Sequence, residues 1–229
     1  MPIFKDKNEG FFKKWSPEMA YVLGFFAADG NMLKNKRGAH FIEFQSTDKE
    51  IIEKIRKALK SNLTIGEYQP LGKNWERRYR LQIGSKRIFN DLLKLGFTPR
   101  KSKILQFPSV PNRYLSHFVR GYFDGDGCVH LGKYLRKDRN RINWVFSSRF
   151  TSGSKRFLQG LWHHLSKIVS GGTLYKKDGG FDLAFSRHDS VALFRLMYDN
   201  VSSKLFLERK HNLFLKAFRV LKYKVAGVA

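Results

Sequence analysis

The residues most able to do chemistry are two aspartates that end two similar apolar segments. Asp29 closes the segment at 20–30, AYVLGFFAADG, and Asp126 closes the segment at 118–127, FVRGYFDGDG. If both segments are helices that pack together, both carboxylates arrive at the same end of the contact. Adjacent carboxylates bind hard divalent cations, so the repeat predicts a site for Mg²⁺ or Mn²⁺.

Small residues in each segment indicate how the two helices would pack. Each copy carries two of them four positions apart, on one helix face: Gly24 with Ala28, and Gly121 with Gly125. Such faces let two helix backbones approach closely. A packed helix that stops at Asp-Gly would explain one copy alone. Two copies that end in the same acid favour a shared functional site.

Composition indicates a folded protein with a polyanionic partner. The chain has 229 residues, 42% of them hydrophobic, which is enough to bury a substantial core. Its formal net charge of +25 far exceeds the magnitude of about 2–8 that serves solubility in a small domain. The excess therefore predicts binding to nucleic acid.

Other features of the composition concern location and cofactors. The single cysteine, Cys128, excludes an internal disulfide and a cysteine-rich zinc module. No apolar run reaches the roughly 18 residues of a membrane span, and the first residues lack the apolar core of a signal peptide. We expect an intracellular protein without membrane contact. The histidines show no metal-ligand spacing, and no phosphate-binding loop of the ATPase type is present.

Helix and strand signals follow the same order on both sides of a proline-containing linker. In the first half the predicted elements are the motif helix, a hairpin at 31–47, a helix after Asp48, a hairpin of 64–71 with 75–83, and a helix at 87–95. In the second half they are the motif helix at 112–125, a hairpin of 128–135 with 141–151, a helix from Ser154, a hairpin of 173–177 with 181–186, and helices at 189–198 and 204–222. The pattern predicts an α+β fold of two pseudo-symmetric αββαββα halves: residues 1–105, a linker at 106–115 into the second motif helix, and residues 112–229.

Strand alternation predicts that each sheet has one apolar and one polar face. Around residue 145, Ile142, Trp144, Phe146 and Phe150 alternate with Arg141, Asn143, Ser147 and Arg149; Tyr79, Leu81 and Ile83 oppose Arg78, Arg80 and Gln82. The apolar faces would pack on helices, and the polar faces carry side chains that read base edges in the major groove. The candidate DNA-binding residues are Lys34, Lys36, Arg37, Gln45, Arg78, Arg80, Gln82, His130, Arg136, Lys137, Arg139, Arg141, Asn143, Ser147, Arg149, Lys176, Lys177 and Asp182.

The segments at 22–30 and 119–127 resemble the two signature helices of a monomeric LAGLIDADG homing endonuclease. The resemblance extends over nearly the whole chain, through both motifs, their spacing and the repeated element order. It implies a saddle of two antiparallel sheets joined through the paired motif helices. It also implies a sequence-specific endonuclease that hydrolyses both strands of a long asymmetric DNA site with divalent metal.

The same resemblance implies roles for individual residues. The last acid of each motif, Asp29 and Asp126, would bind the metal, and the carbonyl before it, of Ala28 or Gly125, would face the metal too. Further from the motifs, basic residues would lie near the cut phosphate and polar residues would order water. The matches are Lys101 and Lys210 for the first role, with Lys103, Lys204 or Arg100 as alternatives, and Asp48 and Ser154 for the second.

The two motif copies differ at their first acid. The second copy has Asp124 at this position, and the first copy has Ala27. Within the resemblance this position is not the essential one, so cleavage is still expected. The difference makes the two halves unequal, which fits an asymmetric target.

Two functions remain open on the sequence. The first is the double-strand endonuclease, acting as a monomer without a protein partner on double-stranded DNA of roughly 20 bp, about one helical turn for each half. The second is a non-cutting nucleic-acid binder of the same fold, either an intron RNA splicing maturase or a transcription regulator. Intact acids in both motifs favour the endonuclease.

Overall fold

Each half of the chain begins with one of the aspartate-terminated segments, folded as a helix. The computed structural model describes residues 5–69, 76–136, 140–199, 201 and 204–223. The elements of the first half are α1 Pro17–Asp29, β1 Gly30–Lys34, β2 His40–Ser46, α2 Lys49–Ala58, β3 Gly66–Tyr68, β4 Arg78–Gly84 and α3 Lys86–Lys94. Those of the second half are α4 Leu115–Asp126, β5 Gly127–Arg136, β6 Arg141–Ser152, α5 Lys155–Leu165, β7 Thr173–Lys177, β8 Gly180–Phe185, α6 Arg187–Tyr198 and α7 Glu208–Leu221.

The observed order confirms the predicted α+β fold of two αββαββα halves. Each half builds one four-stranded antiparallel sheet, in the order β1-β2-β4-β3 and β5-β6-β8-β7. The sheets share one register, because Phe44 pairs with Leu81 in the first sheet and Phe150 pairs with Leu183 in the second. All four of these side chains are fully buried. The second half ends with the additional helix α7, and the first half has a 3-10 turn at Lys101–Lys103 after α3.

Several element boundaries differ from the sequence-based expectation. Residues 112–114 form a 3-10 turn rather than the start of α4. Helix α7 begins at Glu208 rather than near 204, and the backbone N–H of Leu207 is instead bonded to the carboxylate of Asp124 at 2.9 Å. The expected strand at 64–71 is observed only at Gly66–Tyr68, and residues 70–75 lie outside the described residues.

The predicted packing of β6 holds only near its carboxyl end. Phe146 and Phe150 are buried, but Ile142 is 58% exposed. The reason is that β8 pairs only with Ser148–Ser152, so the earlier part of β6 has β5 alone beside it. There Trp144 is covered partly by Lys133, whose ammonium lies 5.3 Å from the ring centre. No helix in the described part of the chain has the length and apolar character needed to cross a bilayer.

Candidate active site at the end of the motif helices

Helices α1 and α4 pack backbone to backbone at two glycines. A β-carbon on Gly24 would lie 2.1 Å from the Phe118 carbonyl oxygen, and one on Gly121 would lie 2.0 Å from the Tyr21 carbonyl oxygen. Contacts this short cannot accommodate any side chain, so glycine is required at both positions. The close approach ensures that both helices end side by side.

The two terminal carboxylates therefore meet at one end of this helix pair. A β-carbon on Gly125 would lie 2.4 Å from the Ala28 β-carbon and 3.2 Å from Oδ2 of Asp29, so Asp29 lies against the last turn of α4. Burial and the charge of Asp126 raise the pKa of Asp29 to about 7. Burial likewise raises the pKa of Asp126, against the opposing effect of nearby lysines. This is a site where a cation would relieve both desolvation and mutual repulsion.

Each carboxylate has a buried lysine near it. The ammonium of Lys101 donates to the Ala27 carbonyl at 3.0 Å, in the last turn of α1, and lies 5.6 Å from the centre of the Phe26 ring. Burial lowers the pKa of Lys101 to about 8, and the charges of Asp126 and Asp29 oppose that shift. Lys101 is therefore a desolvated cation within reach of both acids.

Lys210 has the equivalent position at the end of α4, with more partners. Its ammonium shares three N–H donors among four carbonyl oxygens around the helix terminus: Phe123 at 2.8 Å, Asp124 at 2.7 Å, Gly125 at 3.1 Å and Gly127 at 2.6 Å. A cation at a helix C-terminus also complements the helix dipole. Burial lowers the pKa of Lys210 to about 8. Because a carbonyl has two lone pairs, Gly125 keeps one for a further partner.

Asp48 and Ser154, which the sequence pairs as water-ordering residues, lie in unlike surroundings. Asp48 lines a cavity of about 560 Å³ together with Asp29, and it accepts hydrogen bonds from Arg209. Ser154 is 2% exposed; its hydroxyl donates to the Leu105 carbonyl at 2.6 Å and accepts from a backbone N–H of α5 at 3.4 Å. The donor of that hydroxyl is used within the fold, and one of its two lone pairs remains for a further partner, so the expected role of Ser154 in ordering water stays a prediction.

The cavity beside Asp29 contains polar residues that the sequence did not single out. They are Asn31 on β1, Thr47 before α2, Ser102 in the 3-10 turn and Arg209 at the start of α7. Asn31 follows Asp29 by two residues, and this short distance from the motif was the signal that could have identified it. Each of the others is the neighbour in the chain of a predicted site residue: Thr47 precedes Asp48, Ser102 follows Lys101 and Arg209 precedes Lys210.

The structure explains why the second motif has an acid, Asp124, where the first motif has Ala27. Asp124 is 3% exposed and accepts hydrogen bonds from the Tyr21 hydroxyl at 2.6 Å and from the Leu207 N–H at 2.9 Å. Burial raises the pKa of Asp124, and the bond from Tyr21 opposes this shift. Ala27, its counterpart, lies in the apolar core. Asp124 thus ties the segment before α7 to the helix pair.

The donor set at the helix ends fits a hard divalent cation. In the described ranges no group of three or more histidine, cysteine or acidic residues is placed to hold a metal together. Asp29 and Asp126 are thus the two charged donors at this point. Mg²⁺ is commonly bound through one or two carboxylates, with waters and substrate phosphates completing its shell. Two carboxylates and adjacent carbonyls match that requirement.

The polar faces of the two sheets carry many of the candidate DNA-binding residues. In the first sheet these are Gln45, Arg80 and Gln82, and in the second they are His130, Asn143, Ser147, Arg149, Lys177 and Asp182. Arg78 lines the cavity beside Asp29, and Lys36 and Arg37 are exposed in the turn between β1 and β2. Lys137 and Arg139 lie outside the described residues, as do the side chains of Arg136 and Arg141.

Two of the predicted lysines lie on the opposite face. Lys34 pairs with His40, whose ring packs on Phe89 of the helical layer, and Lys176 pairs with Phe181, which packs against the core. Both side chains therefore lie on the face opposite the polar one, because successive strand residues alternate between faces. Their contact with DNA stays a prediction. Conversely, the sequence reading missed Glu43, which lies on the polar face of the first sheet between Arg80 and Gln82.

Comparison with known proteins identifies one family along the chain. Residues 16–95 and 113–209 match the LAGLIDADG-like domain. DNA-directed RNA polymerase subunit Rpo1C of Methanocaldococcus jannaschii is 30% identical over 146 residues, 63% of this chain and 15% of that protein. An uncharacterized protein of the same organism is 23% identical over 190 residues, 79% of this chain and 66% of that protein. The chain spans less than two thirds of the length of both relatives.

Solved structures with the same fold align over most of the chain. The homing endonuclease I-WcaI bound to its DNA recognition sequence has a TM-score of 0.56 and 16% identity, covering 89% of this chain and 90% of that one. Meganuclease I-SmaMI bound to uncleavable DNA has a TM-score of 0.62 and 12% identity, covering 91% and 92%. The I-LtrWI homing endonuclease bound to target DNA has a TM-score of 0.57 and 13% identity, covering 95% and 92%. At these identities the likeness establishes a shared fold.

Proposed function

The chain belongs to the LAGLIDADG-like domain family, and on that premise we propose that it is a sequence-specific endonuclease that cuts both strands of a long asymmetric DNA site. The observation that carries this proposal is the meeting of two terminal carboxylates at one end of a closely packed helix pair, each with a buried lysine near it. A binding module has no evident use for two desolvated carboxylates that repel each other.

The proposed chemistry assigns each of these groups a task. Asp29 and Asp126 would hold Mg²⁺ or Mn²⁺, which supplies a Lewis acid and lowers the pKa of bound water. Lys101 and Lys210 would offset the charge that develops on the phosphate during displacement. Both lysines are already ordered by carbonyl oxygens, so little reorganisation is needed when DNA binds.

The proposed substrate is double-stranded DNA of roughly 20 bp, bound by one polypeptide across both sheets. The net charge of +25 and the basic residues on the polar faces support binding to phosphates and bases. The unequal halves support an asymmetric site. The three structural neighbours described above are bound to DNA, which agrees with this proposal.

The experiment is a cleavage assay on DNA selected by the protein from a library of randomised duplexes. Wild type should cut the selected duplex in Mg²⁺ and should not cut it in EDTA. The double variant Asp29→Asn, Asp126→Asn should bind the same duplex and cut neither strand, while the matched control Asp199→Asn, an exposed acid at the end of α6, should cut normally. Sequence-specific binding by wild type without cutting in any metal would instead indicate a non-cutting binder, and preferential binding to an intron RNA would indicate a maturase.

A further inference from the structure

Each sheet holds one almost fully buried acid on the face that otherwise carries basic and polar side chains. Glu43 on β2 and Asp182 on β8 are each 3% exposed. An acid on this face opposes the approach of phosphate, and burying a charge requires compensating partners. The partners of these two acids therefore indicate what the acids are for.

In the first sheet, Glu43 lies beneath two longer side chains of β4. The amide of Gln82 donates to Oε1 of Glu43 at 2.6 Å, and a terminal guanidinium nitrogen of Arg80 lies 3.5 Å from the same oxygen. The side chain of Arg80 nevertheless remains 45% exposed. The carboxylate thus lies beside one terminal nitrogen of a guanidinium that has further donors on a partly exposed side chain.

In the second sheet, Asp182 also lies beneath basic side chains. It accepts hydrogen bonds from the Thr151 hydroxyl at 2.6 Å and the Tyr175 hydroxyl at 3.4 Å. Arg149 and Lys177 approach it at 3.8 and 3.6 Å, and their side chains remain 47% and 40% exposed. Again a buried acid lies below cations whose side chains remain partly exposed.

The two arrangements use equivalent positions with the charges exchanged. Because the pair Phe44–Leu81 corresponds to Phe150–Leu183, Glu43 has the place of Arg149, and Arg80 has the place of Asp182. The guanidinium therefore comes from the third strand of the first sheet and from the second strand of the second sheet. The same ion pair was kept in both halves with its polarity reversed.

We propose that Glu43 and Asp182 are specificity-determining positioning residues, which orient Arg80 and Arg149 to read one guanine in each half of the DNA site. This inference depends on the proposed binding of DNA. An arginine held along one edge can still span the O6 and N7 acceptors of guanine with its remaining donors. Because the two arginines stand on non-equivalent strands, the two guanines lie at positions that do not form a palindrome.

A purely structural role makes a different prediction. Cross-strand ion pairs stabilise sheets modestly, so removing a structural acid would lower stability and leave base preference unchanged. Removing an acid from a basic protein should also strengthen non-specific DNA binding through phosphate attraction. A positioning role is distinguished by loss of preference at one base pair while overall affinity is kept.

The test compares sequences selected in EDTA, from fully randomised duplexes, by wild type, Glu43→Gln, Asp182→Asn and the control Glu67→Gln. Glu67 pairs with Tyr79 on the other face of the first sheet, so the control makes the same charge change away from the polar face. Glu43→Gln should lose guanine preference about tenfold at one base pair of one half-site. Asp182→Asn should do so at one base pair of the other, and the control should match wild type.

The outcomes separate this inference from the proposed function. If wild type selects no sequence, the proposed specific DNA binding fails, and this inference fails with it. If wild type selects a site and both acid variants keep its full profile, the positioning role alone is overturned. Should Glu43→Gln fail to fold, Glu43→Asp keeps the charge and withdraws it from Arg80. A weakened guanine preference at one base pair of one half-site, shown by Glu43→Asp, then supports the role, and an unchanged profile overturns it.

Discussion

The Asp48 carboxylate and the Arg209 guanidinium form a bidentate ion pair between the two halves, with nitrogen–oxygen distances of 2.8 to 3.1 Å. Asp48 precedes α2 of the first half, and Arg209 stands in the first turn of α7 of the second half, directly before Lys210. Beside them, the Lys54 ammonium donates to the Phe206 carbonyl at 2.9 Å. The start of α7 is thus held against the first half, where Lys210 enters the site.

Arg209→Gln should slow cleavage and leave stability almost unchanged. The Arg209 side chain is 59% exposed, so its ion pair contributes at most about 1 kcal/mol to folding. Its effect on the position of Lys210 is larger, because displacement of a reacting group by about 1 Å can reduce the rate about a hundredfold. Single-turnover cleavage and urea unfolding measure the two effects.

The control is Arg219→Gln, a charge change near the other end of α7. It should cut like wild type if the site depends on the specific ion pair with Asp48. Equal cleavage by both variants would show that the Asp48–Arg209 pair does not position Lys210 for the proposed cleavage.

Gly24→Ala should destabilise the protein strongly. The added methyl group would lie 2.1 Å from the Phe118 carbonyl oxygen and 2.9 Å from the Tyr122 nitrogen, both backbone atoms that cannot move without separating the helices. We expect a loss of about 1–3 kcal/mol or more in the free energy of unfolding. Denaturant unfolding measures it.

Gly66→Ala is the matched control for this helix contact. A β-carbon there meets only the Arg80 carbonyl oxygen at 3.7 Å, an ordinary contact. A similar loss of stability in both variants would mean that the close approach of α1 and α4 is not the cause.

Asp29 should make the metal-free protein less stable as the pH rises towards 8. Burial and Asp126 raise the pKa of Asp29 to about 7, compared with about 3.9 in an unfolded chain. Between these values the folded state keeps a proton that the unfolded state has released. Its stabilising effect is therefore complete below about pH 4 and is lost as the pH rises through about 7.

The measurement is the free energy of unfolding in urea with EDTA, followed across this pH range. Asp29→Asn should flatten the pH dependence relative to wild type, and Asp199→Asn should follow the wild-type curve. Parallel curves for wild type and Asp29→Asn would show that Asp29 titrates normally in the folded protein.

Local patterns in the sequence were sufficient for the order of the elements and for the pairing of α1 with α4. Helix periodicity, strand alternation and small residues act over a few positions, and the repeat doubled each signal. The same patterns give no information about contacts with distant partners. Ser154 is bound to Leu105, and Asp48 is bound to Arg209, which no spacing in the chain could indicate.

The face on which a strand residue lies also depends on distant partners. Lys34 and Lys176 lie near the ends of strands of five residues, and their observed pairing places both opposite the polar face. Of the two buried acids on the polar faces, the sequence singled out Asp182 and not Glu43. The contacts of Glu43 with Arg80 and Gln82 depend on the pairing of β2 with β4, which no spacing in the chain shows.

The lysines at the helix ends should differ in their importance for folding. Lys101→Met leaves one carbonyl oxygen, that of Ala27, without its donor. Lys210→Met removes a donor from four carbonyls around the end of α4, of which only that of Phe123 is shown to keep another donor, the Gly127 N–H. Each buried acceptor left without a partner costs about 1–3 kcal/mol. Both variants also gain stability because they no longer bury an ammonium group. The cost of that burial is similar for the two lysines, since burial lowers the pKa of each to about 8. That gain is similar in the two variants, so the difference in their stability measures the cost of the carbonyls that lose a donor.

Urea unfolding at neutral pH should rank Lys210→Met as the less stable by several kcal/mol. Equal stabilities would mean that water replaces Lys210 at the carbonyls, and that the lysine is kept for its charge at the site alone.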